Sequence, residues 1–83
     1  MKIYWNKESN SKNLIGPRVK ELRTERQLSQ KALAEQLQLA GYDIDKNVIT
    51  RIETNKRYVT DIELQALSEV FNVSCDFLIK GKQ

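Results

Sequence analysis

The sequence predicts an all-α fold, one small domain of five short helices, and three observations carry that prediction. A local pattern recurs four times: an apolar residue, a small polar residue, and another apolar residue four places further on. At a helix start the polar oxygen accepts an otherwise unpartnered backbone N–H, a contribution of about 0.5–2 kcal/mol, while the apolar pair staples the incoming chain to the first turn. Within the segments that follow, apolar residues recur at three- and four-residue intervals, as one buried stripe requires. No stretch alternates as a strand would, and 83 residues with 40% hydrophobic content suit one compact core.

Residues 1–13 are polar, lack helical periodicity and carry an isolated Ile3-Tyr4-Trp5 cluster, so they read as a flexible arm. The domain is expected over residues 14–80, with 81–83 as a tail. Gly16-Pro17 marks the first helix, Pro17 to Arg26, because proline at the first helical position gives up an N–H that has no partner anyway. Val19 and Leu22 face inward behind it. Leu28-Ser29 with Leu33 opens the second helix, Gln30 to Leu39, and Ile44-Asp45 with Ile49 opens the third, Lys46 to Thr54. Val59-Thr60 with Leu64 opens the fourth, Asp61 to Phe71, where Thr60-Asp61-Ile62-Glu63 is also a capping box. Val73-Ser74 with Leu78 opens the fifth, Cys75 to Ile79. Loops fall at Ala40-Gly41-Tyr42-Asp43 and Asn55-Lys56-Arg57-Tyr58, where Gly41 and Asn55 tolerate the left-handed backbone that ends a helix.

Composition narrows the function classes. No apolar run approaches the roughly 20 residues that cross a bilayer, and the polar N-terminus does not resemble a secretory signal, so a cytoplasmic protein is expected. Cys75 is alone and the chain has no histidine, which leaves no internal disulfide and no evident zinc site or nucleophilic dyad. Cys75 reads as buried filler. With no metal cluster or glycine-rich phosphate loop either, neither an enzyme nor a cofactor is expected, and no small-molecule substrate is evident. Net charge is +3, from 14 basic and 11 acidic residues. The segment from Lys46 to Arg57 alone carries Lys46, Arg51, Lys56 and Arg57 against Glu53, an excess as large as that of the whole chain. By itself such a cluster better fits a solvated helix face.

Short helices joined by tight turns, the third apolar on one side and basic on the other, have the outline of a helix-turn-helix. Leu28-Ser29-Gln30-Lys31-Ala32-Leu33-Ala34 followed by Val48-Ile49-Thr50-Arg51-Ile52-Glu53 resembles the lambdoid phage repressor and Cro family, the XRE-type regulators. Arg18-Val19-Lys20-Glu21-Leu22-Arg23 is similar to that family's first helix, and Ala66 to Ser74 to its fourth helix and following turn. The resemblance covers Asn13 to Lys80. It departs between Leu37 and Ile49, where a handful of additional residues, Ala40-Gly41-Tyr42-Asp43-Ile44 among them, lengthen the second helix or its turn. Asn55 also stands where the family commonly has glycine.

The resemblance implies a lambda-repressor-like DNA-binding domain with its helix-turn-helix at the second and third helices, acting as a transcriptional regulator, a repressor. The third helix is then the recognition helix. The residues agree: with Val48, Ile49 and Ile52 turned to the core, Lys46, Asn47, Thr50 and Arg51 face outward, the base-contacting set. Arg51 or Lys46 suits guanine O6 and N7, Asn47 suits adenine, and Thr50 offers a hydroxyl or a methyl. The resemblance assigns phosphate contacts to Gln30 and Arg23, the latter held by Glu53 as an exposed positioning pair. Lys56 and Arg57 read as a second phosphate clamp. The implied partner is an operator duplex bound by a homodimer whose interface involves Phe77 to Ile79 or forms only on DNA. Tyr4 and Trp5 fit an arm that reaches the minor groove or a partner subunit less well than a disordered segment or a crystal contact, and no role is assigned to them. The alternative function is an antitoxin or adaptor that uses the same fold mainly to bind protein.

Overall fold

Helix formation in this chain is decided at helix ends. In the computed structural model, which describes residues 11–81, the helices are α1 Gly16–Glu25, α2 Gln30–Leu39, α3 Lys46–Glu53, α4 Asp61–Phe71 and α5 Cys75–Lys80. The side chains of Ser29, Asp45, Thr60 and Ser74 cap four of them, accepting from the backbone N–H groups of Ala32, Val48, Glu63 and Phe77. All four are caps that the recurring pattern predicts, and both halves of the Thr60–Glu63 capping box are present. Spans for α2 and α4 match the expectation. α1 begins and ends one residue early, α3 is one residue shorter and α5 one residue longer.

The opposite ends share another device. Gln27, Gly41, Asn55 and Asn72 take left-handed backbone, with φ of 57°, 98°, 61° and 56°. The N–H that follows each one returns to the final turn: Leu28 to Arg23 O, Tyr42 to Leu37 O, Lys56 to Arg51 O and Val73 to Ser68 O, at 2.9–3.1 Å. This Schellman arrangement satisfies carbonyls that would otherwise lack partners. Leu28 and Val73 close one helix and staple the next, which makes the α1–α2 and α4–α5 turns tight.

The additional residues fall in the α2–α3 turn, since α2 stops at Leu39. Ile44 is buried in the core, Gln38 Nε2 donates to Ile44 O at 3.2 Å, and the Tyr42 hydroxyl donates to Glu69 Oε2 at 2.7 Å. The lengthened turn is thereby fastened to both α2 and α4. Ile15, Val19, Leu22, Leu33, Leu37, Ile49, Ile52, Leu67, Phe71 and Leu78 form the centre of one core. α3 packs on α1 and α2, while α4 packs on α2 and α5.

Two expectations need correction. The flexible arm was expected to end at Asn13, yet Ser11 is buried and residues 11–13 are tied to the α3–α4 turn; the rest of that arm, with Tyr4 and Trp5, lies outside the described residues. Cys75, expected to be buried, is half-buried, because the first position of α5 faces solvent on one side.

Candidate nucleic-acid interface

The short amphipathic helix α3 is held from beneath by Ile49 and Ile52, which are 0% and 1% exposed. Val48 packs at the core margin, half-buried. This anchoring leaves Lys46, Asn47 and Arg51 exposed along the outward face, with Thr50 half-buried among them. Lys46 and Arg51 carry no ion pair among the described residues. Thr54, exposed just past the helix end and spaced four residues from Thr50 and seven from Asn47, extends the same face. That spacing is legible in the sequence, although the expected base-contacting set does not include Thr54.

A continuous polar network fixes this face to α1 and α2. Arg23 donates to Glu53 through Nε at 2.7 Å and Nη2 at 3.0 Å, and its Nη1 donates to Leu28 O at 2.8 Å. Glu53 Oε1 also accepts from Gln30 Nε2 at 3.1 Å, and Gln30 Oε1 accepts from the Thr50 hydroxyl at 2.8 Å. The Arg23 and Glu53 side chains are only 14% and 3% exposed, so the pair is interior and not the exposed pair expected. Hydrogen bonding to Glu53 raises the pKa of the Arg23 guanidinium above the ordinary arginine range, against the opposing effect of burial. Both interior charges are paired, Arg23 through three hydrogen bonds and Glu53 through both carboxylate oxygens, the condition under which a buried ionic network is tolerated.

Internal pairing, in this network and in a separate Arg57–Glu63 pair, changes what three of the predicted residues offer. The single Thr50 proton is directed at Gln30 Oε1 or Lys46 O, which leaves its methyl and an acceptor lone pair for a ligand. Gln30 spends its amide oxygen and one amide proton inside the protein, leaving one amide proton. Arg57 is turned onto Glu63, with Nη2 to Oε2 at 2.6 Å, and its pKa is raised mainly by that hydrogen bond. Lys56, by contrast, is exposed and carries no ion pair among the described residues.

A second cluster, not foreseen from the sequence, holds the C-terminal end of α3. Asn13 Nδ2 donates to Ile52 O at 3.1 Å and Arg57 O at 2.9 Å, while Asn13 Oδ1 accepts from Gly16 N at 2.8 Å and Asn55 Nδ2 at 3.0 Å. The α1 and α3 backbones approach closely here: a Cβ on Gly16 would collide with Ile52 O. Gly16 is therefore required by tertiary contact as well as by its place before Pro17. Apart from Gly16, three residues on, the partners of Asn13 lie about forty residues away in sequence, so no local periodicity signals them.

Against this geometry, comparisons with known proteins are consistent. Residues 19–78 match the family described as helix-turn-helix. The chain is 39% identical over 67 residues to the HTH-type transcriptional regulator RamB of Mycobacterium tuberculosis, in two strains. That alignment covers 81% of this chain but 13% of RamB, so the chain spans only a small part of that relative. It is also similar to the P22 c2 repressor in a crystal structure with a synthetic operator, at a TM-score of 0.71 and 26% identity, covering 84% of this chain and 98% of that one. With its capped α2 and α3 packed together and most of its length matched, the chain belongs to the helix-turn-helix family.

Proposed function

We propose that this chain is a sequence-specific double-stranded DNA-binding regulator, a repressor, that lays α3 in the major groove. The observation that carries this reading is the complete burial of Ile49 and Ile52, which commits one side of α3 to the core and turns Lys46, Asn47 and Arg51 outward. The likeness to RamB, named a transcriptional regulator, and to the operator-bound P22 c2 repressor supports it. Arg51 and Lys46 donate to guanine O6 and N7, and Asn47 pairs with adenine, each good bidentate contact contributing about 1–3 kcal/mol of discrimination. Thr50 presents its methyl to thymine.

Phosphate contacts fall to Lys56 and to Gln30, whose remaining amide proton sits at the start of α2, where the helix dipole favours an anion. Arg23 and Arg57, both committed to carboxylates, position α3 and the following loop rather than grip phosphate directly. A second copy supplies the second half-site. The protein works in the cytoplasm with no catalytic step; among the described residues no helix is long and apolar enough to cross a membrane.

Selection of bound sequences from a random duplex pool tests the reading. An operator should emerge, and Lys46→Ala, Asn47→Ala and Arg51→Ala should each relax preference at different positions. Selection that enriches nothing, in a chain that binds a protein partner instead, would establish the adaptor reading.

A further inference from the structure

Beside the cluster around Asn13 stands a charged residue, Lys12. Lys12 is exposed, and its backbone N–H donates to Asn55 O at 3.1 Å, which sets it beside the loop that carries Lys56. The residue after it, Asn13, is pinned to Ile52 O and Arg57 O, so Lys12 is carried on backbone fixed to the end of α3. Its ammonium lies 5.2 Å from the centroid of the Tyr58 ring, within the range of a cation–π contact. Lys12 carries no ion pair among the described residues, whereas Arg23 and Arg57 are neutralised by Glu53 and Glu63. Among the described residues, Lys46 and Arg51 on the face of α3 and Lys56 and Lys12 past its C-terminal end thus carry no ion pair.

We propose that Lys12 and Lys56 together form a phosphate-binding edge next to the C-terminal end of α3, with Lys12 a direct contact to the duplex backbone. The inference rests on the DNA-binding reading above. When α3 lies in a major groove, the strand bordering that groove passes its ends, and an ammonium held on rigid backbone loses little freedom on meeting a phosphate. Tyr58 orients the Lys12 side chain through the ring face, and the ammonium, with three N–H groups, can still donate to a phosphate on the side away from the ring. Lys12 thereby becomes part of the interface and not of an arm. A phosphate contact carries no sequence information directly, so its signature is in the salt dependence of binding.

The test is duplex binding by fluorescence anisotropy across a salt series, using the selected operator and a scrambled duplex, for the wild type, Lys12→Gln, Lys12→Arg and Lys56→Gln. Each lysine-to-glutamine change should lower the slope of log affinity against log salt by about 0.9, one phosphate's worth of released counterions. Over a fourfold rise in salt, each glutamine variant should then lose about 3.5-fold less affinity than the wild type. The effect should be equal on both duplexes, and Lys12→Arg should restore the slope. A wild-type slope in Lys12→Gln alongside a reduced slope in Lys56→Gln overturns the Lys12 assignment and leaves the DNA reading intact. A wild type that binds neither duplex in a salt-dependent way overturns both.

Discussion

Glu53 is the side chain on which three helices converge, since it holds Arg23 of α1 by two hydrogen bonds and Gln30 of α2 by a third. Taking away its carboxylate leaves an interior guanidinium without a counter-charge, so Glu53→Ala should destabilise the fold by about 3–5 kcal/mol in urea unfolding. Adding Arg23→Leu to that variant should recover part of the loss, because the orphaned charge goes too; a fully additive pair would show that the two side chains are not coupled. Tyr42 makes a different kind of contact. Hydrogen bonding to Glu69 raises its phenol pKa above the ordinary tyrosine range, and this bond's contribution is complete below that range and lost as the pH rises through the folded-state pKa. Phenolate absorbance should therefore show a late alkaline phase that disappears in Tyr42→Phe.

At the scale of elements, the helices are short and depend on their ends. Thr60→Ala removes one half of the α4 capping box and should lower stability by about 0.5–2 kcal/mol in thermal melts. Gln27 closes α1 in left-handed backbone, a conformation that costs an L-residue about 1–2 kcal/mol and a glycine nothing. Glycine also loses more chain entropy, by about 0.5–1 kcal/mol, so Gln27→Gly should raise stability by a smaller net amount, read from the same melts. The α1–α3 contact is the sensitive one for the interface. A methyl at position 16 would meet the Ile52 carbonyl, so Gly16→Ala should force the helices apart at a cost of about 1–3 kcal/mol, and duplex affinity measured where the variant remains folded should fall as α3 shifts. These caps were legible in the sequence because a cap is a local event, with partner and acceptor three residues apart. Gln27 was not, because its left-handed backbone follows from the tight α1–α2 turn and runs against the residue's own preference.

The whole molecule is small beside the site it is proposed to read. α3 has 8 residues and so spans about 12 Å, only a few base pairs, whereas dimeric readers of this geometry address half-sites about 34–36 Å apart. Two copies are thus needed for an extended operator, and the selected sequence should be a palindrome. The last helix of the described residues is the expected surface for that pairing: Ile79 is 37% exposed and lines an open groove of about 200 Å³ with Lys12, Asn13, Leu14, Ile15, Val59 and Leu64. Phe77, expected at the same surface, is half-buried beneath the Arg18 guanidinium and is less available. Ile79→Glu should abolish binding to the full palindrome while sparing weak binding to a single half-site, checked by gel mobility on both duplexes.

The amino-acid sequence by itself determined the five helices, the side-chain caps of four of them, their buried stripes and the outward set on α3, because these follow from interactions among residues a few positions apart. Only the tertiary structure decided which of the outward polar groups remain available. Thr50, Gln30, Arg23 and Arg57 are drawn into hydrogen bonds with partners on other elements or past the next turn, and residues 11–13 are locked to the end of α3 by Asn13. Long-range pairing depends on how the helices are packed in space, and a charge that looks free along the chain is spent once packing brings a carboxylate to within 3 Å of it.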